Sequence, residues 1–299
     1  MKILVLQGGE SSEREISFRS AGSVIDALEK LGIDVITYDP KDGLDALLAI
    51  AKNVDLVFPI LHGKGGEDGK LQKLFEDNDI KFLGSGSDSS NNCLNKEKYY
   101  EICKQNSILI PDYSIVTFEE FKKSNLAKKP FVLKPIEGGS AIDTIIVRTT
   151  PDNLLIFEDV FKKYNKIILQ ELIPGIEVTC GILGETPLPV IEIIPPKGEE
   201  FDFENRYNNK SQELCPPKHI SNTIQLQIQE LALKSHKTLK CLHLSRTDMI
   251  VDKKNNIFVL ETNTIPGLTK TSLYPKEAKS KGLSMQSLVK EFIKLSMSR

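Results

Sequence analysis

Ser245-Arg246-Thr247-Asp248-Met249-Ile250-Val251-Asp252-Lys253-Lys254-Asn255-Asn256-Ile257-Phe258-Val259-Leu260-Glu261-Thr262-Asn263-Thr264-Ile265-Pro266-Gly267 reads as two apolar strands, 245–251 and 257–262, separated by a polar turn. Side chains alternate with period two, so Arg246 and Asp248 share a face of the first strand, and Glu261 and Asn263 share a face of the second. Side by side, the strands bring Asp248, Glu261 and Asn263 together, which supplies hard oxygen ligands of the kind Mg²⁺ takes beside nucleotide phosphates. The arginine adds fixed positive charge where a phosphoryl group or an oxyanion develops. The same spacing also describes a solvated hairpin face with a cross-strand Arg–Glu pair.

Upstream, residues 131–135 read as a strand ending in Lys134-Pro135, followed by Ile136-Glu137-Gly138-Gly139-Ser140. A glycine-rich loop beside a strand-borne lysine can close over phosphates through its backbone N–H groups, although such turns are also common for purely local reasons. Lys96 and Glu177 flank the same expected cleft, although each alone reads more readily as a surface charge than as a ligand. The pattern predicts helices at 96–105, 151–164 and 222–239 and a closing helix from Met285, with strands at 113–117, 144–148, 166–173, 177–183 and 189–194. The polar run 197–218 has no periodicity over about twenty residues, a length typical of lids and binding loops.

The first ninety residues alternate apolar runs (2–7, 34–39, 56–61, 81–83) with helical patterns (17–31, 44–52, 69–78), the signature of βαβ units on an open parallel sheet. Ligands of such sheets sit beyond the carboxyl ends of the strands, here at GGESSEREIS (8–17) and HGKGGEDG (62–69).

At 299 residues the chain suits two or three lobes with clefts between them. Lysine plus arginine (39) nearly balances aspartate plus glutamate (41), so charge gives no reason to expect nucleic acid or a membrane surface as partner. Five scattered cysteines without a C-x-x-C pair fit a reducing compartment. The opening apolar run is too short for a signal peptide, and no stretch reaches spanning length, so a soluble cytoplasmic chain is expected.

The order of EREIS (13–17), LHGKGGEDG (61–69), NK (95–96), LKP with GGS (133–140), PGIEVT (174–179), SRTD (245–248), LETNTIPG (260–267) and TSL (271–273) resembles the ATP-grasp superfamily, and within it the D-alanine–D-alanine ligase family. The resemblance covers the chain from end to end. It implies an ATP-grasp fold, α/β with α+β lobes: an N-terminal open parallel-sheet substrate domain (1–93), a central lobe (94–174) and a C-terminal lobe with an omega loop and the metal site (175–299). It further implies joining of two D-alanine molecules through a D-alanyl phosphate, for peptidoglycan precursor synthesis, by a homodimer.

Residue by residue, the resemblance puts Lys96 and Lys134 at the ATP phosphates, Glu177 at the ribose and the backbone near Glu171 and Ile173 at the adenine, with Arg206 also among the ATP-binding residues. Asp248, Glu261 and Asn263 would hold two Mg²⁺ or Mn²⁺ ions. Arg246 and the Gly267 N–H would face the oxyanion. Glu15 would bind the ammonium of the first D-alanine, with Ser140, Tyr207 and His62 beside it, and Ser272 with the Leu273 backbone would take the carboxylate of the second.

This chain departs from the family pattern in its glycine-rich loop (137–143), in Arg206 where a lysine is usual, and in Gln170 where an acidic residue is usual. The resemblance implies that Tyr207 favours D-alanine over D-lactate or D-serine as acceptor. A dinucleotide-binding oxidoreductase is disfavoured because the first turn lacks G-x-G-x-x-G. A catalytically silent nucleotide sensor is disfavoured because it has no use for an ammonium-binding carboxylate beside a metal cluster.

Overall fold

Ile3 and Val5 point to one side of the strand β1 (Lys2–Leu6) and Leu4 and Leu6 to the other, and all four are fully buried, so β1 lies between two apolar layers. The computed structural model describes residues 1–139, 142–149, 151, 153–196 and 210–298. Three crossover helices, α1 (Arg14–Lys30), α2 (Leu44–Ala51) and α3 (Lys70–Glu76), accompany β2 (Asp34–Tyr38) and β3 (Leu56–Pro59), which flank β1 in parallel. Leu4 and Leu6 pack with Leu47 of α2 and Phe75 of α3. Ile3 and Val5 pack with Ala21, Val24 and Leu28 of α1, and also with Leu288, Val289 and Phe292 from the end of the chain.

After α4 (Ser87–Leu94) and α5 (Lys96–Gln105), the strands β4 (Tyr113–Val116), β5 (Phe131–Lys134), β6 (Ile145–Val147) and β7 (Ile167–Glu171) form an antiparallel sheet in the order β4-β7-β5-β6. The helices α6 (Phe118–Lys123) and α7 (Glu158–Lys163) cover it through a cluster of Phe121, Phe131, Phe157 and Phe161, several rings meeting edge to face as aromatic quadrupoles prefer.

The third sheet runs β11-β10-β8-β12-β13, with β9 pairing β8. Its strands are β8 (Gly175–Leu183), β9 (Thr186–Pro187), β10 (Ile191–Ile194), β11 (Gln212–Leu214), β12 (Leu244–Asp252) and β13 (Ile257–Asn263), all paired antiparallel. The helix α8 (Asn222–Thr238) packs on it, and α9 (Leu273–Ser280) and α10 (Met285–Met297) return the chain to the first core. Tyr99, Tyr100 and Cys103 of α5 share a core with Ile168 of β7 and with Val178, Met249 and Val259 of the third sheet.

Several elements differ from the sequence expectation. Residues 81–83 make only a bridge from Phe82 to Val57, not a strand. The expected helix at 151–164 is a 3₁₀ turn at Leu154–Phe157 followed by α7. α4, α6 and α9 were not expected, and α1 begins at Arg14 rather than at 17. α4 reads SDSSNNCL, residues that favour caps and turns, and its helix is held by burial of Ser89, Ser90 and Cys93 rather than by propensity. α6 is six residues long and is fixed by a capping box between Thr117 and Glu120. Among the described residues no helix is long and apolar enough to cross a membrane.

His236 of α8 is buried against the Ser245 hydroxyl at 2.7 Å, and burial holds its imidazole down at about 4. Between pH 4 and 6.5 the unfolded chain therefore binds a proton that the folded chain does not, and stability is lost as pH falls through that window. Replacing His236 by Gln is expected to flatten the dependence of unfolding free energy on pH there by about 1.4 kcal/mol per pH unit, read by denaturant titrations across the range. An unchanged slope would remove His236 from the acid limb.

Candidate active site

β12 and β13 run in register with Asp248 opposite Glu261 and Arg246 opposite Asn263, and a bulge follows immediately after Asp248. Two carboxylates directly opposite each other repel. Here the pair is tolerated because Arg246 binds Asp248 through Nε at 2.8 Å and Nη2 at 2.7 Å, while the Lys96 ammonium approaches Glu261 at 4.0 Å. The Thr179 hydroxyl donates to Asp248 at 2.6 Å, and the Asn263 amide lies 3.5 Å from the same carboxylate. The polar-hairpin alternative is therefore excluded: Arg246 and Asp248 are both buried, and the arginine pairs within its own strand. The carboxylate pulls the guanidinium pKa above its ordinary value against the effect of burial.

The Asp248 side of this pair lines a cleft of about 570 Å³ between the second and third sheets. Lys96, Lys134, Glu171, Ile173, Glu177 and Glu261 line it too. The Lys134 ammonium sits 5.4 Å over the Tyr100 ring, and burial holds it down at about 8 against the opposing pull of Glu261. Gln170 is buried and donates to the Tyr100 hydroxyl at 2.9 Å. Lys96 donates to the Gly138 carbonyl at 2.5 Å, which ties the glycine-rich turn to the head of α5.

Arg246 itself lines a second, small pocket of about 50 Å³, together with Glu13, His62, Glu67, Asn263, Gly267, Ser272 and Leu273. One buried ion pair thus separates and connects the two cavities, and Gly139 lines both. Glu15, expected here from the sequence, is not at this pocket. It lies exposed on the first turn of α1, whereas Glu13, just before the helix, is 6% exposed and turned inward. A Cβ built on Gly63 would come within 2.8 Å of the Glu13 carboxylate and one on Gly139 within 3.2 Å, so both glycine-bearing loops close onto Glu13. Arg14 reaches back to the Gly9 carbonyl at 2.7 Å and to Asp39 at 2.6 Å, which braces the loop from behind.

His62 Nδ1 lies 3.1 Å from the Ile265 carbonyl, which can only accept, so that nitrogen carries the proton and Nε2 accepts from Ser20 Oγ at 3.1 Å. Burial keeps this imidazole neutral, at about 4. Glu67 accepts from the Gly63 N–H at 2.8 Å and from the Ile265 N–H at 3.1 Å, while burial and the nearby Glu13 push its carboxyl up to about 8. The Ser272 hydroxyl bonds the Thr269 amide at 3.1 Å and the Thr269 hydroxyl at 2.8 Å. Glu213 of β11, paired with Lys276 of α9, closes one side of the pocket.

The sequence did not single out Glu13, Glu67, Thr179, Ser20 or Glu213. The first three lie inside the EREIS, LHGKGGEDG and PGIEVT segments, and a helix start placed at Arg14 would have separated an inward position 13 from an outward position 15. Ser140, Tyr207 and Arg206 lie outside the described residues.

Residues 97–294 match the family described as "D-ala D-ala ligase C-terminus" and residues 41–85 the one described as "D-ala D-ala ligase N-terminus". The chain is 37% identical over 301 residues to a protein named D-alanine–D-alanine ligase from Nitratidesulfovibrio vulgaris, covering 99% of this chain and 98% of that one. It superposes on the crystal structures of D-alanine–D-alanine ligase from Bacillus anthracis, with a TM-score of 0.86 at 30% identity and of 0.84 at 29% for the complex with ATP, each covering 100% of this chain and 98% of that one. VanG D-Ala:D-Ser ligase from Enterococcus faecalis is similar at a TM-score of 0.80 and 28% identity, covering 99% of each chain.

Proposed function

The chain belongs to the D-alanine–D-alanine ligase family, and from that premise we propose how its residues divide the work of one reaction. The reaction is the ATP-dependent joining of two D-alanine molecules into D-alanyl-D-alanine for peptidoglycan precursor synthesis, on an ATP-grasp fold. A carboxylate does not react with an amine. One carboxylate oxygen of the first D-alanine therefore takes the terminal phosphoryl group of ATP and ADP leaves; the amine of the second then attacks the acyl carbon, loses a proton, and phosphate leaves.

ATP fits the large cleft, with Lys96 and Lys134 at its phosphates, Glu177 at the ribose and the backbone of Glu171–Ile173 at the adenine edge. Lys134 gains most from this, because a buried ammonium held at about 8 is drawn fully charged by phosphate oxygens. Asp248, Glu261 and Asn263 offer two carboxylates and an amide. Among the described residues no three His, Cys, Asp or Glu side chains are placed to hold a metal ion by themselves. Such a sparse set suits Mg²⁺ or Mn²⁺, which complete their shells with phosphate oxygens and water. Bound there, the ions neutralise phosphate charge.

In the small pocket Glu13 takes the ammonium of the first D-alanine, the role expected of Glu15. Ser272 and the Leu273 N–H hold the carboxylate of the second, and Arg246 with the Gly267 N–H faces the tetrahedral oxyanion. Ser140, Tyr207 and Arg206 keep the roles the resemblance gives them. The same reading carries lobes at 1–93, 94–174 and 175–299, a homodimer and a cytoplasmic place of action.

The observation that carries this reading is the Arg246–Asp248 pair, whose two members line the amino-acid pocket and the nucleotide cleft respectively. ADP release is expected to require D-alanine and a divalent cation together; equal release with L-alanine, or with no amino acid, would refute it. A D-serine acceptor is the second reading, raised by the similarity to VanG. Mass analysis of products from equimolar D-alanine, D-serine and D-lactate is expected to give mainly D-alanyl-D-alanine.

A further inference from the structure

We propose that Glu67 is a positioning residue, which clamps the Ile265–Leu268 loop so that the Gly267 amide is aimed at the acyl carbon's oxygen during condensation. The inference rests on the reading of the small pocket given above and names the residue that makes it work.

Each backbone N–H along this loop has a separate fate. That of Ile265 donates to Glu67 Oε1 at 3.1 Å, across 198 residues of sequence. Pro266 has none, and its ring fixes φ. That of Leu268 donates to Ser20 Oγ at 3.2 Å. Only the Gly267 N–H is left without an acceptor among the described residues, and it lines the pocket. The Ile265 carbonyl is held in turn by His62. Ile265 is thus held through both of its peptide units, by Glu67 at the N–H of the 264–265 peptide and by His62 at the oxygen of the 265–266 peptide, the one that leads into the proline before Gly267.

The other Glu67 oxygen accepts from Gly63, next to His62, so a single carboxyl joins the loop after β3 to the loop after β13. Both oxygens of a carboxyl have lone pairs in either protonation state, so the clamp does not depend on its charge. A glutamine cannot reproduce it. The NH₂ of its amide has no acceptor lone pair and would face one of the two N–H donors.

The test is Glu67→Gln, with D-alanyl-D-alanine and ADP measured in the same reaction. The turnover number for dipeptide is expected to fall about a hundredfold, as small misplacements of reacting groups produce. ADP release should fall less, because D-alanyl phosphate made in the variant is lost to water, so dipeptide per ADP drops well below one while KM for ATP stays within about twofold. A merely structural role lowers both products in parallel. A folded variant that still makes one dipeptide per ADP overturns the proposal. Should Glu67→Gln not accumulate, Glu67→Asp reads the same ratio, since its shorter side chain reaches one loop at a time. Wild-type protein run alongside that makes no dipeptide would sink the parent reading, whereas a fully coupled variant beside active wild type sinks the clamp alone.

Discussion

Glu13→Gln is expected to lower kcat/KM for D-alanine by about a thousandfold, the equivalent of roughly 4 kcal/mol, because it removes one charge of an ion pair formed in a dry pocket. Glu15→Gln is expected to stay within about twofold of wild type, as substitutions on exposed helix faces do. The contrast is sharp because the two residues are chemically identical, two positions apart and in one motif, yet one is 6% exposed between the Gly63 and Gly139 loops and the other is on the outside of α1. Affinity for ATP, whose cleft neither residue lines, should be the same in both variants. Steady-state kinetics with D-alanine varied at saturating ATP decides it, and a larger loss in Glu15→Gln would return the ammonium to that residue.

The second large effect concerns the pair between the cavities. Asp248→Leu leaves the Arg246 guanidinium buried without its bidentate partner, so stability is expected to fall by about 3–5 kcal/mol and ligation to vanish. Arg246→Met in the same chain removes the stranded charge. The double variant is therefore expected to recover most of the lost stability while remaining inactive, since an apolar pair of similar volume can replace a buried ion pair in the fold but not in the chemistry. Denaturant unfolding of both single variants and the double gives the coupling energy. Simple addition of the two losses would show that the pair is not the connection described above.

Much of this is legible in the amino-acid sequence. Alternation fixed which side chains of β12 and β13 share a face, and the observed register, with Asp248 against Glu261 and Arg246 against Asn263, brings those faces together as expected. α5 was placed at Lys96–Gln105 to the residue, because apolar periodicity and the preceding Asn95 cap agree. The failures have local physical causes. α4 is built of cap-forming residues and exists because its serines and Cys93 are buried by neighbours distant in sequence. α6, at six residues, is too short for a period of 3.6 to stand out, and α9 carries Pro275, which reads as a break although a first turn tolerates it. The resemblance put the ammonium on Glu15, whereas Glu13 is the buried carboxylate of the two; with α1 expected from position 17, positions 13 and 15 both fell in a loop and their facing could not be told apart. Glu67 lies within HGKGGEDG, but its partners are backbone amides, one of them 198 positions away, and spacing cannot show those.

The most direct test of a nucleotide cleft and an amino-acid pocket joined at Arg246–Asp248 follows an oxygen atom. D-alanine labelled with ¹⁸O in its carboxylate is supplied with ATP and Mg²⁺, and the released phosphate is analysed by mass. Phosphoryl transfer to the carboxylate across that junction predicts one labelled oxygen in the phosphate for each dipeptide formed. Unlabelled phosphate accompanying dipeptide would mean that the carboxylate never met the nucleotide, and would contradict the account.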